Sequence, residues 1–303
     1  MSSAQVGLVG FGRWGRLIFR DLRSLGVDVV VVAPSKESRR GAVEAGAAAA
    51  VPAVEDLPAV EGAVVATPTA THAEVTERLL RTIDGPIDVE KPLTCDVDDA
   101  RRIVERGGSR VFVMEKWRYH PGIEVIRDLV AGGSAGRAVG IRSVRHQWGL
   151  QHRDVDAAWI LLPHDLSIAR ELLGTVPPVR AATGMAHGRE ASLVALLGSD
   201  PWLVVDMSTL ETEHRRELHV LCERAVLMLP HSYTNHVEVR RPGEADVARI
   251  PISSELPLLR ELRAFVGHLA GGPPPKSSAA EGAEVVERIA QIRTMAGLDR
   301  RTP

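Results

Sequence analysis

Along the first third of the chain, short continuous apolar runs alternate with stretches where apolar residues return every third or fourth position. Residues 6–10 (VGLVG) form an apolar run ending in glycine. From Arg13 to Leu25 the spacing of Trp14, Leu17, Ile18, Leu22 and Leu25 predicts a helix with one broad apolar face, closed by Gly26. The β-branched run 27–33 reads as a strand buried on both faces. Further strands are predicted at 47–51, 62–67, 86–90 and 111–114, with helices over 37–46, 71–82 and 96–107. Strands separated by helices imply a parallel sheet with right-handed crossovers.

The pattern changes after about residue 120. A helix over 121–131 leads into a long strand at 137–149, and a helix follows at about 163–173. Strand-like runs then succeed one another at 178–187, 191–197, 201–211, 215–229 and 235–241, punctuated by turn signals such as Gly198-Ser199-Asp200-Pro201. Strands without intervening helices imply an antiparallel sheet. Helices over 256–269 and 279–296 close the chain, on either side of a proline-rich break. The predicted fold class is therefore α/β: an N-terminal Rossmann doubly wound parallel sheet, then an α+β domain with an open, mostly antiparallel sheet. The expected division is 1–118 for a first domain built on the parallel sheet and 119–303 for a second built on the antiparallel one. A broad antiparallel sheet needs its second face covered, so a homodimer or homotetramer pairing through the C-terminal sheet is expected.

Composition narrows the partners. With 37 basic and 39 acidic side chains the net charge is −2, which gives no basic surplus for nucleic acid and no acidic tail. The two cysteines, Cys95 and Cys222, lie far apart without ligand spacing, so neither a disulfide framework nor a structural zinc is expected. No apolar run approaches the ~18 residues of a membrane span, and the N-terminus lacks the pattern of a signal peptide. A cytoplasmic protein with no membrane partner is expected.

The candidate chemistry begins at Gly10-Phe11-Gly12-Arg13-Trp14-Gly15, a GxGxxG directly after a strand and opening a helix. Gly10 permits the tight turn, Gly12 leaves room for a pyrophosphate, and Gly15 allows close helix–sheet packing. The helix start offers free N–H groups and a positive dipole end to phosphates. At the end of the second strand, a carboxylate binds the ribose of NAD, whereas basic groups accept the extra phosphate of NADP. Here the chain reads Ala33-Pro34-Ser35-Lys36-Glu37-Ser38-Arg39-Arg40. Ser35, Lys36 and Arg39 favour NADP, with Glu37 keeping NAD possible.

Three further segments, ATPTATH (66–72), EKPL (90–93) and WRYHPG (117–122), join the fingerprint, PHDLS (163–167) and the closing SAAEGAEVVERIAQI (278–292). Together they resemble the glucose–fructose oxidoreductase / inositol dehydrogenase (Gfo/Idh/MocA) family. The resemblance implies an NAD(P)-dependent oxidoreductase that transfers hydride between a nicotinamide and a sugar, nucleotide sugar or related carbinol or ketone. It implies that Thr67, Pro68 and His72 line the cofactor, although a histidine at a helix start also commonly faces solvent. It places Glu90 and Lys91 at the carboxyl end of a parallel strand, where open α/β sheets bind ligands. Lys91 would stabilise negative charge on the reacting oxygen, and His164 would transfer the hydroxyl proton.

One departure stands out. Many family members carry an aspartate four residues before this histidine, and here that position is Ile160. Either Asp165, Asp154 or Asp156 replaces it, or the proton takes another route, or activity is reduced. The last case keeps open a catalytically impaired, dinucleotide-binding sensor or assembly subunit. A reductase of an imine or a non-sugar ketone is a third reading. His146, His152 and His164 lack the carboxylate spacing of a metal site, so no metal is expected. Trp117 and Trp148 are read as packing residues or as stacking platforms for a sugar face.

Overall fold

The first apolar run becomes β1 (Gln5–Val9) and the periodic stretch after it α1 (Arg13–Ser24), in a computed structural model that describes residues 4–151 and 153–299. Alternation continues through β2 (Asp28–Val32), α2 (Lys36–Glu44), β3 (Ala49–Val51), β4 (Gly62–Val65), α3 (His72–Thr82), β5 (Ile87–Glu90), α4 (Val97–Gly107) and β6 (Val111–Met114). All six strands are parallel, in the order β3-β2-β1-β4-β5-β6. The strand order reverses between β1 and β4, and doubly wound sheets bind ligands beyond the carboxyl ends at such a point. Side chains start the helices that follow. Ser35 accepts from the amide of Ser38 at α2, and Asp96 accepts from the amides of Asp98 and Asp99 at α4.

The second sheet has eight strands. After α5 (Pro121–Ala131) come β7 (Ala138–Trp148), α6 (Ala157–Leu173), β8 (Val179–His187), β9 (Glu190–Gly198), β10 (Trp202–Ser208), β11 (Leu210–Cys222), β12 (Val226–Leu229), β13 (His236–Arg240) and β14 (Ala248–Pro251). Their order is β14-β13-β12-β11-β7-β10-β9-β8, antiparallel everywhere except between β7 and β10. The mostly antiparallel sheet expected from the sequence is present, with three differences of detail. The runs 201–211 and 215–229 break elsewhere, because the turn that returns the amide of Cys222 to the carbonyl of Ala225 splits β11 from β12. The edge strand β14 has no hydrophobic alternation to announce it: two of its four residues are charged or proline. Helix α6 starts at Ala157, well before the expected position near 163. Proline is favoured at the first helical position, yet Pro163 lies inside α6, whose start is capped by Asp156 through the amides of Ala158 and Trp159. The segment from Ala157 to Pro163 is buried on every side, so it carries no amphipathic period.

The chain then returns to the parallel sheet. Helix α7 (Pro257–Leu269) packs on α1, and its Leu258, Leu262 and Phe265 join Leu8, Ile18, Leu22, Val29 and Val31 in one core. Burying a side chain of this size stabilises by roughly 1.5–3 kcal/mol. Helix α8 (Ala279–Met295) opens with a capping box: Ser278 Oγ accepts from the amide of Glu281, and Glu281 Oε2 accepts from the amide of Ser278. Two compact units result. The first runs to Lys116 and resumes at Leu256–Val286, and the second comprises Trp117–Glu255 and the chain from Glu287 onward. A single linear cut does not express this return of α7. Among the described residues, no helix is long and apolar enough to cross a membrane.

Candidate active site

The GxGxxG turn has the geometry its sequence demands. Gly10 sits at φ +103°, and a Cβ there would lie 2.5 Å from the carbonyl oxygen of Ala66 at the end of β4. A Cβ on Gly15 would lie 2.2 Å from the carbonyl oxygen of Gly10. A Cβ on Gly12 would meet nothing within 4 Å. Two glycines are thus required by the fold itself, while the third keeps space clear in front of α1. No side chain caps that helix start, so its first amides remain available to an anion. The turn therefore fits a dinucleotide pyrophosphate. Arg13 is exposed beside it. Phe11 takes a different part: its ring is buried in the core, edge-on to Phe19 and covered by Arg16, so only its backbone faces the turn.

At the tip of β2, Ser35 is committed to capping α2. Arg39 folds back and donates to the carbonyls of Ala33 and Pro34, both at 2.7 Å. Lys36 is exposed. No carboxylate occupies the 33–35 tip, and Glu37 points from an exposed position on α2.

The ends of β4 and β5 are tied together by His72. Its Nδ1 lies 2.8 Å from the carbonyl oxygen of Pro92 and its Nε2 3.0 Å from that of Thr67. The ring is 1% exposed, so a solvent-facing histidine is ruled out. His72 positions the two strand ends from beneath. Thr71 Oγ1 adds a hydrogen bond to Thr67 Oγ1 and another to the carbonyl of Pro68. The Lys91–Pro92 peptide is cis. Glu90 accepts from the indole Nε1 of Trp14 and from the amide of Lys91, which links the EKP segment to the fingerprint helix. Lys116 Nζ stands 4.4 Å over the Trp14 ring.

Sequence reasoning missed a set of buried acids under this region. Asp88 and Glu90 alternate along β5 and so face one side, where Glu261 of α7 meets them. Burial pushes the carboxyl groups of Asp88 and Glu261 well above their usual range; Glu90 raises Asp88 further, and Asp88 and Glu90 raise Glu261 further. Burial also raises Glu90, against the opposing pull of Lys91, Trp14 and Lys116. Among the described residues, neither oxygen of Asp88 or Glu261 has a hydrogen-bond partner. The sequence signal was the alternation of two acids, Asp88 and Glu90, with Ile87 and Val89 along a four-residue strand.

In the second unit His164 lies on α6, one turn after the buried Ile160. Its ring centroid is 6.4 Å from that of Trp117, which stacks on His120 at 5.0 Å. The acids proposed to replace the missing aspartate are engaged elsewhere. Asp165 accepts from Ser143 Oγ at 2.6 Å and from Arg145 through Nε and Nη2 at 2.9–3.2 Å. Asp156 caps α6 and also accepts from Arg293 at 2.7 Å. Asp154 lines a separate concavity with Trp159 and Arg293. His146 bonds Asp206 on the neighbouring strand, and His152 lies outside the described residues. Trp148 is exposed at the end of β7, whereas Trp117 belongs to the His164 cluster.

Comparisons with known proteins agree with this geometry. Residues 4–111 match the family model described as the oxidoreductase family with an NAD-binding Rossmann fold. The inositol 2-dehydrogenase of Mycolicibacterium smegmatis is 30% identical over 189 residues, which are 57% of this chain and 53% of that protein. The match thus spans about half the length of that relative. Among solved structures, UDP-N-acetylglucosamine 3-dehydrogenase from Acidithiobacillus ferrooxidans superposes with TM-score 0.83 at 19% identity, covering 98% of this chain and 99% of its own. Levoglucosan dehydrogenase in complex with NADH gives 0.86 at 15% identity, with 98% of both chains covered. These two likenesses establish a shared fold.

Proposed function

We propose that this chain, whose residues 4–111 match the oxidoreductase family with an NAD-binding Rossmann fold, is a Gfo/Idh/MocA-type NAD(P)-dependent dehydrogenase or reductase of a sugar, nucleotide sugar or related carbinol or ketone. The observation that carries this reading is the open Gly12 cradle at the start of α1, in a chain that keeps both Lys91 and His164. Gly10, Gly12 and the amides at Arg13, Trp14 and Gly15 hold the pyrophosphate, and Thr67 and Pro68 line the nicotinamide side. A bound nicotinamide supplies the hydride donor or acceptor. Lys91, on the strand end that His72 and Glu90 hold, places positive charge where oxygen charge develops. His164 accepts the hydroxyl proton in oxidation and returns it in reduction.

The adenosine end reads as an NADP site. Support comes from the missing carboxylate at residues 33–35 and from Lys36 and Arg39, the latter anchored at the strand tip by two carbonyls. Fluorescence titration with NADPH and NADH tests this, and tighter NADH binding overturns it. Lys36→Ala should weaken NADPH selectively. A substrate panel followed by NAD(P)H absorbance tests the activity itself. Hydride turnover on none of its sugars, cyclitols and ketones would favour the sensor reading. The setting is read as cytoplasmic, in keeping with two free cysteines. Assembly is read as a homodimer or homotetramer through the second sheet, whose outer face exposes Met185, Val194 and Leu196. Light scattering at the 32.7 kDa monomer mass across micromolar concentrations would overturn that assembly.

A further inference from the structure

On the α6 side of the second sheet, two guanidinium groups lie side by side and only one of them is paired with a carboxylate. Arg145 of β7 and Arg216 of β11 are direct cross-strand partners, so their side chains leave the sheet on the same face. Arg145 is buried and spends its charge on Asp165. Its guanidinium carbon lies 5.0 Å from the Trp117 ring, the same ring that neighbours His164. Arg216 is half-buried and donates to the carbonyls of His146 and Arg215 and to the side-chain oxygen of Gln147. These neutral acceptors fix the guanidinium in place without cancelling its charge. Among the described residues, no carboxylate lies within ion-pair distance of Arg216.

The surroundings keep that charge uncompensated. Burial and then the repulsion of Arg145 push the Arg216 guanidinium down to about 10, so it stays positive at neutral pH. Burial and the positive field of Arg216 and Arg145 lower His214, which therefore adds no competing charge and no acid. Asp165 and Tyr233 are the acidic groups that act on Arg216. The first is already paired with Arg145, and the second is an exposed phenol. Two arginines against one aspartate leave a surplus of one positive charge on the sheet face where Arg145 reaches the Trp117 ring, itself a neighbour of His164. A second half-buried arginine placed against a first one costs stability through like-charge repulsion. A neutral donor would meet the same carbonyls without that cost.

We propose that the substrate carries an oxyanion, a carboxylate or a phosphate, on the molecule whose carbinol His164 serves, and that Arg216 receives it. This rests on the oxidoreductase reading above and narrows its substrate class to acidic or phosphorylated sugars and their relatives. The planar fork of a guanidinium donates two parallel N–H bonds to either group. Partial burial strengthens that attraction relative to an exposed lysine.

The test is direct binding of gluconate, glucose 6-phosphate and glucose to the full chain in the presence of NADPH, by titration calorimetry. At least one anion should bind about tenfold or more tightly than glucose. Preference for gluconate identifies a carboxylate and preference for glucose 6-phosphate a phosphate. Arg216→Gln should bring anion affinity down to that of glucose, while Arg216→Lys retains part of the preference. Should Arg216→Gln fail to fold, salt titration of the native protein still decides: anion binding must weaken with ionic strength and glucose binding must not. Equal binding of charged and neutral sugars, a preference that survives Arg216→Gln, or no binding of either anion at about 50 mM overturns the proposal. NADPH oxidation and NADP reduction are followed separately. Anion preference without any turnover would sink the oxidoreductase reading and leave the anion site standing.

Discussion

The indole N–H of Trp14 donates to the carboxylate of Glu90. Trp14 is the variable fifth position of the fingerprint and Glu90 the first residue of EKP, so two motifs separated by 76 positions close on one another. They lie beyond the carboxyl ends of β1 and β5, on either side of β4. Lys116 over the indole and the Lys91 amide on the other carboxylate oxygen complete the link. The glycine turn and the segment bearing Lys91 are therefore joined by side-chain contacts within the first unit.

The three glycines of the fingerprint should separate into two classes. Gly12→Ala should leave the melting temperature nearly unchanged, because its Cβ enters open space. It should weaken dinucleotide binding by about tenfold or more, because that space belongs to the pyrophosphate. Gly15→Ala should instead lower stability, since its Cβ would overlap the Gly10 carbonyl at 2.2 Å. Thermal melts and cofactor titrations of both variants check this, and equal melting temperatures would contradict it.

Lys91→Ala and His164→Ala should each lower turnover by at least roughly a hundredfold on the best substrate found. Dinucleotide affinity should change little, because neither residue belongs to the pyrophosphate turn. Steady-state kinetics with separate cofactor titration reads both quantities. Near-normal turnover in His164→Ala would remove it from the proton-transfer role.

Ile160→Asp should destabilise the protein rather than restore a missing catalytic acid. Ile160 is buried in α6, and Asp165 and Asp156 nearby are already paired with arginines. An unpaired carboxylate there should lower the melting temperature by roughly 5–10 °C at pH 8. The loss should be smaller at pH 5, because a buried aspartate is raised in the folded state and is better tolerated protonated. An unchanged melting temperature with increased turnover would show that the site had room for the acid.

Glu261→Gln should gain stability relative to the native chain as pH rises. Burial holds the native carboxyl group well above its usual range, and Asp88 pushes it further. The unfolded chain loses that proton near pH 4.3 while the folded one keeps it, so stability falls through this window up to the folded value. Glutamine removes the loss, at most about 1.4 kcal/mol for each pH unit. Denaturant melts should show little difference at pH 4 and a growing advantage for the variant between pH 5 and 8. A constant offset across that range would mean that Glu261 is ionised in the fold.

Much of this architecture was legible because it is locally encoded. The alternation of apolar runs with helical spacing gave the strands and helices of the first sheet nearly residue by residue. Gly10 and Gly15 could be assigned roles because backbone clearance is a property of one short turn. Less local features were less legible. Helix α6 hides its first turns, because a segment buried on all sides has no period and Pro163 imitates a helix start. The edge strand β14 has no pattern of its own and is paired only through β13.

Sequence alone determined the parallel sheet, its glycine turn and the later run of consecutive strands. Each of these follows from periodicity or from a short motif, which are properties of neighbours along the chain. Only the tertiary structure decided where the buried charges meet. His72 became a latch between Thr67 and Pro92, Glu261 came from α7 to face Asp88, and Arg216 came into register with Arg145. A side chain's charge state and partner depend on dielectric and distance, and residues far apart in sequence acquire both only when the chain folds.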